Sequence, residues 1–224
     1  SGSSSNDSNE VDIDDLENWT LRKAAASSLD TLSYIFPNSV VQLSMDILQK
    51  QLMHPDWVFR ESAILALGVI GESCYELMDD YLPKLIPYLI ERLNDPHYLI
   101  RSISCWAISR YCTWILQITD NDTLYFKPLM LSLLNRILDK NKKVQNAACA
   151  SFAILEEVAS LRLVPYLHSI LECLFVAFDK YQEMNMLMLY DAIGTLAEAV
   201  GSHLNHPEYA QKLMPPLLHQ WNRL

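Results

Sequence analysis

The chain has 224 residues, half of them hydrophobic, and a formal net charge of −10. That much apolar material supports a sizeable core, and the acidic balance argues against nucleic acid or an anionic lipid surface as partner and in favour of basic ligands. Five cysteines at no paired spacing give no disulfide framework and fit a reducing compartment.

From the N-terminus, residues 1–15 are rich in Ser, Asn and Asp and poor in apolar groups, the composition of a flexible loop. Asp7, Glu10, Asp12, Asp14, Asp15 and Glu17 all precede the first Arg or Lys, and the opening Ser-Gly-Ser-Ser-Ser reads as the interior of a loop. Order is expected from Leu16. About nine helices follow, separated at Pro37-Asn38, His54-Pro55-Asp56, Asp95-Pro96, Asp139-Lys140-Asn141, Asp179-Lys180 and His206-Pro207, with no strand-like alternation.

These helices are of two kinds. One carries an early proline and an apolar stripe, as at Leu82-Pro83, Lys127-Pro128, Val164-Pro165 and Met214-Pro215; proline suits a first turn and bends a later one. The other is rich in small residues: Trp57 to Gly71, Leu99 to Leu116, Val144 to Ala159 and Met186 to Val200. Gly68, Gly71, Ala148 and Gly194 are expected to be sites of close helix approach there. A bulky apolar residue followed by a long polar one recurs at Leu21-Arg22, Phe59-Arg60, Ile100-Arg101, Val144-Gln145 and Leu189-Tyr190. Recurrence about every 38 to 45 residues is the mark of stacked helix pairs, since one pair cannot bury its own apolar face. Asp95 and Asp139 each lie six residues before a marker, placed either to cap the second helix or to bridge to the next repeat's Arg. The fold class is therefore all-α, an α-solenoid of stacked helix pairs whose features resemble the HEAT repeat: a flexible acidic stretch over residues 1–15, then about four to five repeats over 16–224 as one continuous segment.

Catalytic chemistry is not indicated. His203, His206 and Glu208 lie close together, as do His168 and Cys173, but neither group has the spacing of a four-ligand metal site. No nucleophile elbow or phosphate-binding glycine loop occurs, and Gly68-Val69-Ile70-Gly71 falls inside an apolar helix. No enzyme activity, cofactor or metal is expected. No run of eighteen uncharged apolar residues is available to cross a bilayer, so no membrane insertion is expected.

Beyond periodicity, the blocks Arg101-Ser102-Ile103-Ser104-Cys105-Trp106-Ala107-Ile108-Ser109-Arg110-Tyr111, Leu155-Glu156-Glu157, Leu189 to Ala197 and Tyr209 to Trp221 resemble the central HEAT repeats of the transportins, the karyopherin-β2 branch of the importin-β superfamily. The resemblance runs from Trp19 to Trp221. It implies a nuclear import receptor that shuttles between cytoplasm and nucleus, binds basic proline-tyrosine localisation signals of cargo proteins on a concave face, and releases them to Ran in its GTP form. RNA-binding cargo proteins and nucleoporins are the further partners it implies, with no direct nucleic-acid binding. Carried over residue by residue, Trp19, Asp30, Leu65, Ile103 and Trp106 match the positions around the Pro-Tyr pair, where an apolar floor takes the proline ring and a carboxylate accepts from the tyrosine hydroxyl. Ala147, Ile154, Glu157, Asp191 and Thr195 match positions farther along, with Glu157 and Asp191 facing basic side chains. The pattern departs at Ile154, where the family has threonine, and at Ser27, where it has alanine. The acidic start resembles the end of the long loop that couples Ran binding to cargo release.

From the residues alone, Trp106 reads as a core aromatic on which Arg110 stacks, and Glu156, Glu157 and Asp191 read as solvated helix faces. Two other classes stay open at this level: a HEAT scaffold binding folded partners, and an importin for a different basic signal.

Overall fold

The computed structural model describes residues 21–118, 122–181 and 183–221. Trp19 and the expected acidic loop of residues 1–15 lie outside them. Among the described residues there are eleven α-helices and no strand: α1 (Leu21–Ile35), α2 (Pro37–Leu52), α3 (Trp57–Cys74), α4 (Leu82–Arg92), α5 (Tyr98–Ser109), α6 (Cys112–Gln117), α7 (Phe126–Ile137), α8 (Lys142–Ala159), α9 (Leu167–Lys180), α10 (Glu183–Val200) and α11 (Pro207–Trp221). Short 3₁₀ turns follow α3, α8 and α10.

Two layers result. The small-residue helices α3, α5, α8 and α10 stack in chain order with α1 at the head of the row, and α4, α7, α9 and α11 form the second layer beside α2. Four complete pairs, α2/α3, α4/α5, α7/α8 and α9/α10, lie between α1 and α11. Between the layers runs one continuous apolar core, including Ile64, Leu67, Ile100, Met130, Phe152 and Leu174, all fully buried. Each such side chain contributes about 1.5–3 kcal/mol by leaving water.

Local sequence explains the helix starts. Asp56 accepts from Val58 N at 3.0 Å to cap α3, and Asn141 accepts from Lys143 N at 3.0 Å to cap α8. Proline occupies the first turn of α2 and α4, with Pro87 farther inside α4. Pro165 falls in a 3₁₀ turn ahead of α9, not in the helix itself.

Asp95 and Asp139 are not the helix caps, and the bridge each makes runs backward. Asp139 receives Arg101 Nε and Nη2 of the preceding repeat at 2.9 and 3.0 Å, Arg136 Nη1 at 2.9 Å, and the backbone N–H of Asn141 at 2.9 Å. Asp95 likewise receives His97 N at 2.9 Å and Arg92 Nη1 at 3.2 Å, with Arg60 of the preceding repeat at 4.0 Å. Arg101 meanwhile donates to the carbonyls of Asp95 and Pro96, so one guanidinium locks its own turn to the next repeat. One repeat on, Gln145 replaces Arg and receives Asn185 Nδ2 at 2.7 Å. The recurring long polar residue is thus an inter-repeat latch.

Two expectations of helix extent and packing change. The segment Leu99 to Leu116 is not one helix: it breaks at Arg110-Tyr111, where the buried Tyr111 ring turns inward and its hydroxyl donates to Leu67 O at 2.6 Å. Gly194 is not a packing glycine, since a β-carbon there would meet nothing within 4 Å. By length and composition the stretch Lys142–Lys180 contains a window apolar enough to cross a membrane. In the fold it is divided at Ser160, whose φ is 47°, and its Leu155, Leu163, Ile170 and Leu174 are buried in the solenoid core.

Candidate ligand-binding face

Each helix of the α1, α3, α5, α8, α10 row leaves one stripe free of the second layer. On α3 it carries Val58, Ser62, Leu65 and Glu72; on α5 Ile103, Trp106 and Arg110; on α8 Ala147, Ala150, Ile154 and Glu157; on α10 Asp191, Thr195 and Glu198. Spacings of three and four residues place these groups on one side of each helix. Because the helices lie side by side, the stripes form a strip across four repeats.

Nine of the ten expected contact residues fall within the described residues, and none of the nine is buried. Asp30, Leu65, Ile103, Trp106, Ala147, Ile154 and Thr195 are partly exposed, and Glu157 and Asp191 are exposed. Leu65 and Ile103 each sit three residues before the pair that joins α3 to α5, Gly68 and Trp106. There a β-carbon on Gly68 would lie 2.9 Å from Trp106 Cε3 and 3.0 Å from Ala107 Cα, so only glycine lets the indole rest on the backbone. The outer side of the ring carries the Arg110 guanidinium, 5.7 Å from the ring centroid, and Arg110 pairs with Glu72 at 2.5 Å. Trp106 is therefore a fixed, half-open aromatic shelf, and the stacking of Arg110 on it is as expected from the sequence. Ile154 supplies a methyl-bearing surface with no hydroxyl to donate. Thr195 turns its own hydroxyl to Asp191 O at 3.0 Å.

Charge along the strip is mostly negative, from Asp30, Glu72, Glu157, Asp191 and Glu198. Glu156 differs from its expected role as a solvated face: it is fully buried, neither carboxyl oxygen has a hydrogen-bond partner among the described residues, and burial pushes its pKa up to about 9, with Asp191 and Glu157 adding to the rise. Sequence reasoning also passed over Glu72 and Gly68 as parts of this site; the first is visible only once α3 and α5 are in register. No group of three or more metal-binding side chains occurs among the described residues. A separate groove of about 440 Å³ lies in the other layer between α2 and α4, lined by Met45, Leu48, Leu52, Leu85, Tyr88 and others.

Paired helices stacked through a polar latch define a HEAT-type repeat array, and a HEAT-like repeat pattern matches residues 57–111, the span of α3 to α5. The chain is 52% identical over 209 residues to Transportin-1 of Homo sapiens, covering 93% of this chain and 23% of that protein. It is 44% identical over 208 residues to Importin subunit beta-2 of Schizosaccharomyces pombe, covering 92% and 23%. The crystal structure of Kap121p superposes with a TM-score of 0.73 at 25% identity, over 88% of this chain and 19% of that one. The chain belongs to the transportin family of HEAT-repeat karyopherins, and it spans about a quarter of the length of the curated relatives it matches.

Proposed function

We propose that this chain is the cargo-reading segment of a nuclear import receptor that moves between cytoplasm and nucleus, and that its free strip binds basic, extended proline-tyrosine localisation signals. The observation that carries the reading is the Trp106 shelf on Gly68, a half-exposed aromatic held rigid beside Leu65 and Ile103 and continuous with the acidic groups on α8 and α10. A proline ring stacks on such a surface at little entropic loss. Asp30 accepts from the tyrosine hydroxyl, and Glu157 and Asp191 attract the basic residues that precede the pair. The similarity to Transportin-1 and to Importin subunit beta-2 supports the import role. Ran in its GTP form releases the cargo in the whole protein, and nucleoporins are the transient partners during passage.

Strip contacts of this kind are individually modest, and affinity comes from linking them along one flexible ligand. The test is fluorescence anisotropy of a labelled basic peptide ending in Pro-Tyr, titrated with the chain and with its Trp106→Ala and Asp30→Ala variants. Saturable binding that weakens in both variants and is lost when Pro-Tyr becomes Ala-Ala supports the reading. Binding that survives the Ala-Ala change assigns the strip to a general basic signal, and failure of the folded chain to bind the peptide assigns it to a scaffold for folded partners.

A further inference from the structure

Glu156 is an anomaly in its helix row, where the other buried charges, Glu61 and Arg101, are paired with Arg22 and Asp139. It lies on α8 with no exposed surface, and both its carboxyl oxygens are without hydrogen-bond partners among the described residues. An ionised carboxylate in that position is strongly disfavoured, because nothing replaces the water it has lost. The charged groups acting on it are Glu157, next along α8, and Asp191 of α10, and both are negative. The guanidinium groups on the surrounding elements are engaged elsewhere, and Lys127 of α7 is exposed. Arg110 of α5 pairs with Glu72, Arg136 of α7 with Asp139, and Arg162 of the 3₁₀ turn after α8 with Asp122 and the Leu116 carbonyl. Helix α6 carries no charged residue. Cys149, two turns earlier on α8, is neutral at ordinary pH because burial pushes its thiol up to about 11.

Glu156 therefore holds a proton at neutral pH. Its immediate neighbours are the two exposed carboxylates to which the cargo reading assigns a basic side chain. We propose that Glu156 is a proton store linked to occupancy of that acidic rim: a guanidinium or ammonium docking on Glu157 and Asp191 makes Glu156 release its proton to solvent, so ligand affinity rises with pH. This inference rests on the cargo reading of the same strip and assigns that site a regulation.

The physical route is short. Burial holds Glu156 in the neutral form, and the like charges of Asp191 and Glu157 add to it; an arriving cation cancels the field of those two and so shifts the balance toward the ionised form. The acid O–H breaks, the proton passes to buffer, and the new carboxylate adds a third negative charge beneath the cation. By linkage, a ligand that lowers a folded-state pKa binds more tightly as pH rises through the interval between the bound and free values. The free value is about 9, so the interval lies below that pH, and the dependence levels off above it. For at most one proton, affinity changes by no more than about tenfold per pH unit.

Glu156→Gln keeps the size and neutrality of the protonated acid, so it folds like the parent while being unable to ionise. The first measurement needs no ligand. Because the folded pKa of about 9 exceeds the ordinary 4.5, the stability attached to Glu156 is complete below about pH 4.5 and is lost as pH rises through 9. The thermal midpoint of the wild-type chain should therefore fall over that interval more than that of Glu156→Gln, and identical profiles would overturn the proton store. The second is calorimetric titration of a peptide carrying two arginines and a terminal Pro-Tyr, in pairs of buffers of different ionisation enthalpy at several pH values from neutral up to about 9. Proton release by wild type, absent in Glu156→Gln although the peptide still binds, supports the linkage. Binding without release in wild type, or equal release in the variant, overturns the linkage alone. Failure of the peptide to bind either protein at any pH overturns the cargo reading and the linkage with it, while the thermal profiles still decide whether Glu156 holds its proton.

Discussion

The indole of Trp106 on α5 rests against the bare backbone of Gly68 on α3, with no room for a β-carbon between them. The contact joins two adjacent repeats and sets the height of the aromatic shelf. Gly68→Ala gains about 1 kcal/mol in helix propensity but drives a methyl into ring carbons and the Ala107 backbone, a loss of about 1–3 kcal/mol. The expected net effect is lower stability in a denaturant titration, with a shifted indole emission. Gly194→Ala is the matched control: its β-carbon meets nothing within 4 Å, so it should raise stability by about 0.5–1 kcal/mol. A stabilised Gly68→Ala with unchanged emission would refute the tight contact.

The contrast between these glycines marks what a sequence makes legible. Both lie in small-residue helices and look alike along the chain; only the partner helix in register separates a glycine under an indole from one facing open space. Periodicity was enough to identify two helix kinds, their stacking and the recurring Arg. It could not give the direction of the Arg–Asp bridge, because Asp95 and Asp139 have candidate partners in both neighbouring repeats and the choice depends on how the turns stack. The expected contact residues were named by family resemblance, and their partial exposure on one row of helices follows from three- and four-residue spacing. Glu156 reads as solvated from the sequence because it adjoins Glu157, yet one residue along a helix turns the side chain by roughly a quarter of a turn, enough to take it from the exposed stripe into the core.

Asp139 gathers two guanidinium groups and a backbone N–H at a site where its side chain is 3% exposed and that of Arg101 is 7% exposed. Asp139→Ala leaves Arg101 buried without its carboxylate, and removing one partner of such a pair costs about 3–5 kcal/mol. Asp95→Ala should cost less, since its inter-repeat contact to Arg60 is the longer one, at 4.0 Å. Urea unfolding of both variants checks the order. Equal, small losses would show that the latch does not couple the repeats.

The cysteines test the packing between the layers. Cys74, Cys105, Cys112 and Cys149 are buried, and Cys173 is partly so. Burial raises the pKa of all five, to about 12 for Cys112 and Cys173. Thiolate is the reactive form, so alkylation of the native chain at mildly alkaline pH should be slow for every thiol and should become fast for all five in denaturant. Mass spectrometry over time gives the count, and rapid labelling of Cys105 or Cys112 in the native chain would contradict the packing of α5 and α6.

The acidic rim makes a distinct prediction about salt. Glu157 and Asp191 are exposed, so their attraction for a basic ligand is screened over about 8 Å at physiological ionic strength, whereas the apolar contact at Trp106 is not. Raising salt should therefore weaken the arginine-bearing Pro-Tyr peptide several-fold and should hardly affect a version with its arginines replaced by glutamine. Charge reversal at Glu157→Lys should remove most of the salt dependence, because each exposed rim pair contributes only about 0.2–1 kcal/mol and two such pairs account for the slope. Trp106→Ala should lower affinity at every salt concentration and leave the slope intact. A salt slope that persists in Glu157→Lys and disappears in Trp106→Ala would place the basic epitope on the Trp106 side of the strip, beside Asp30 and Glu72, and not at α8 and α10.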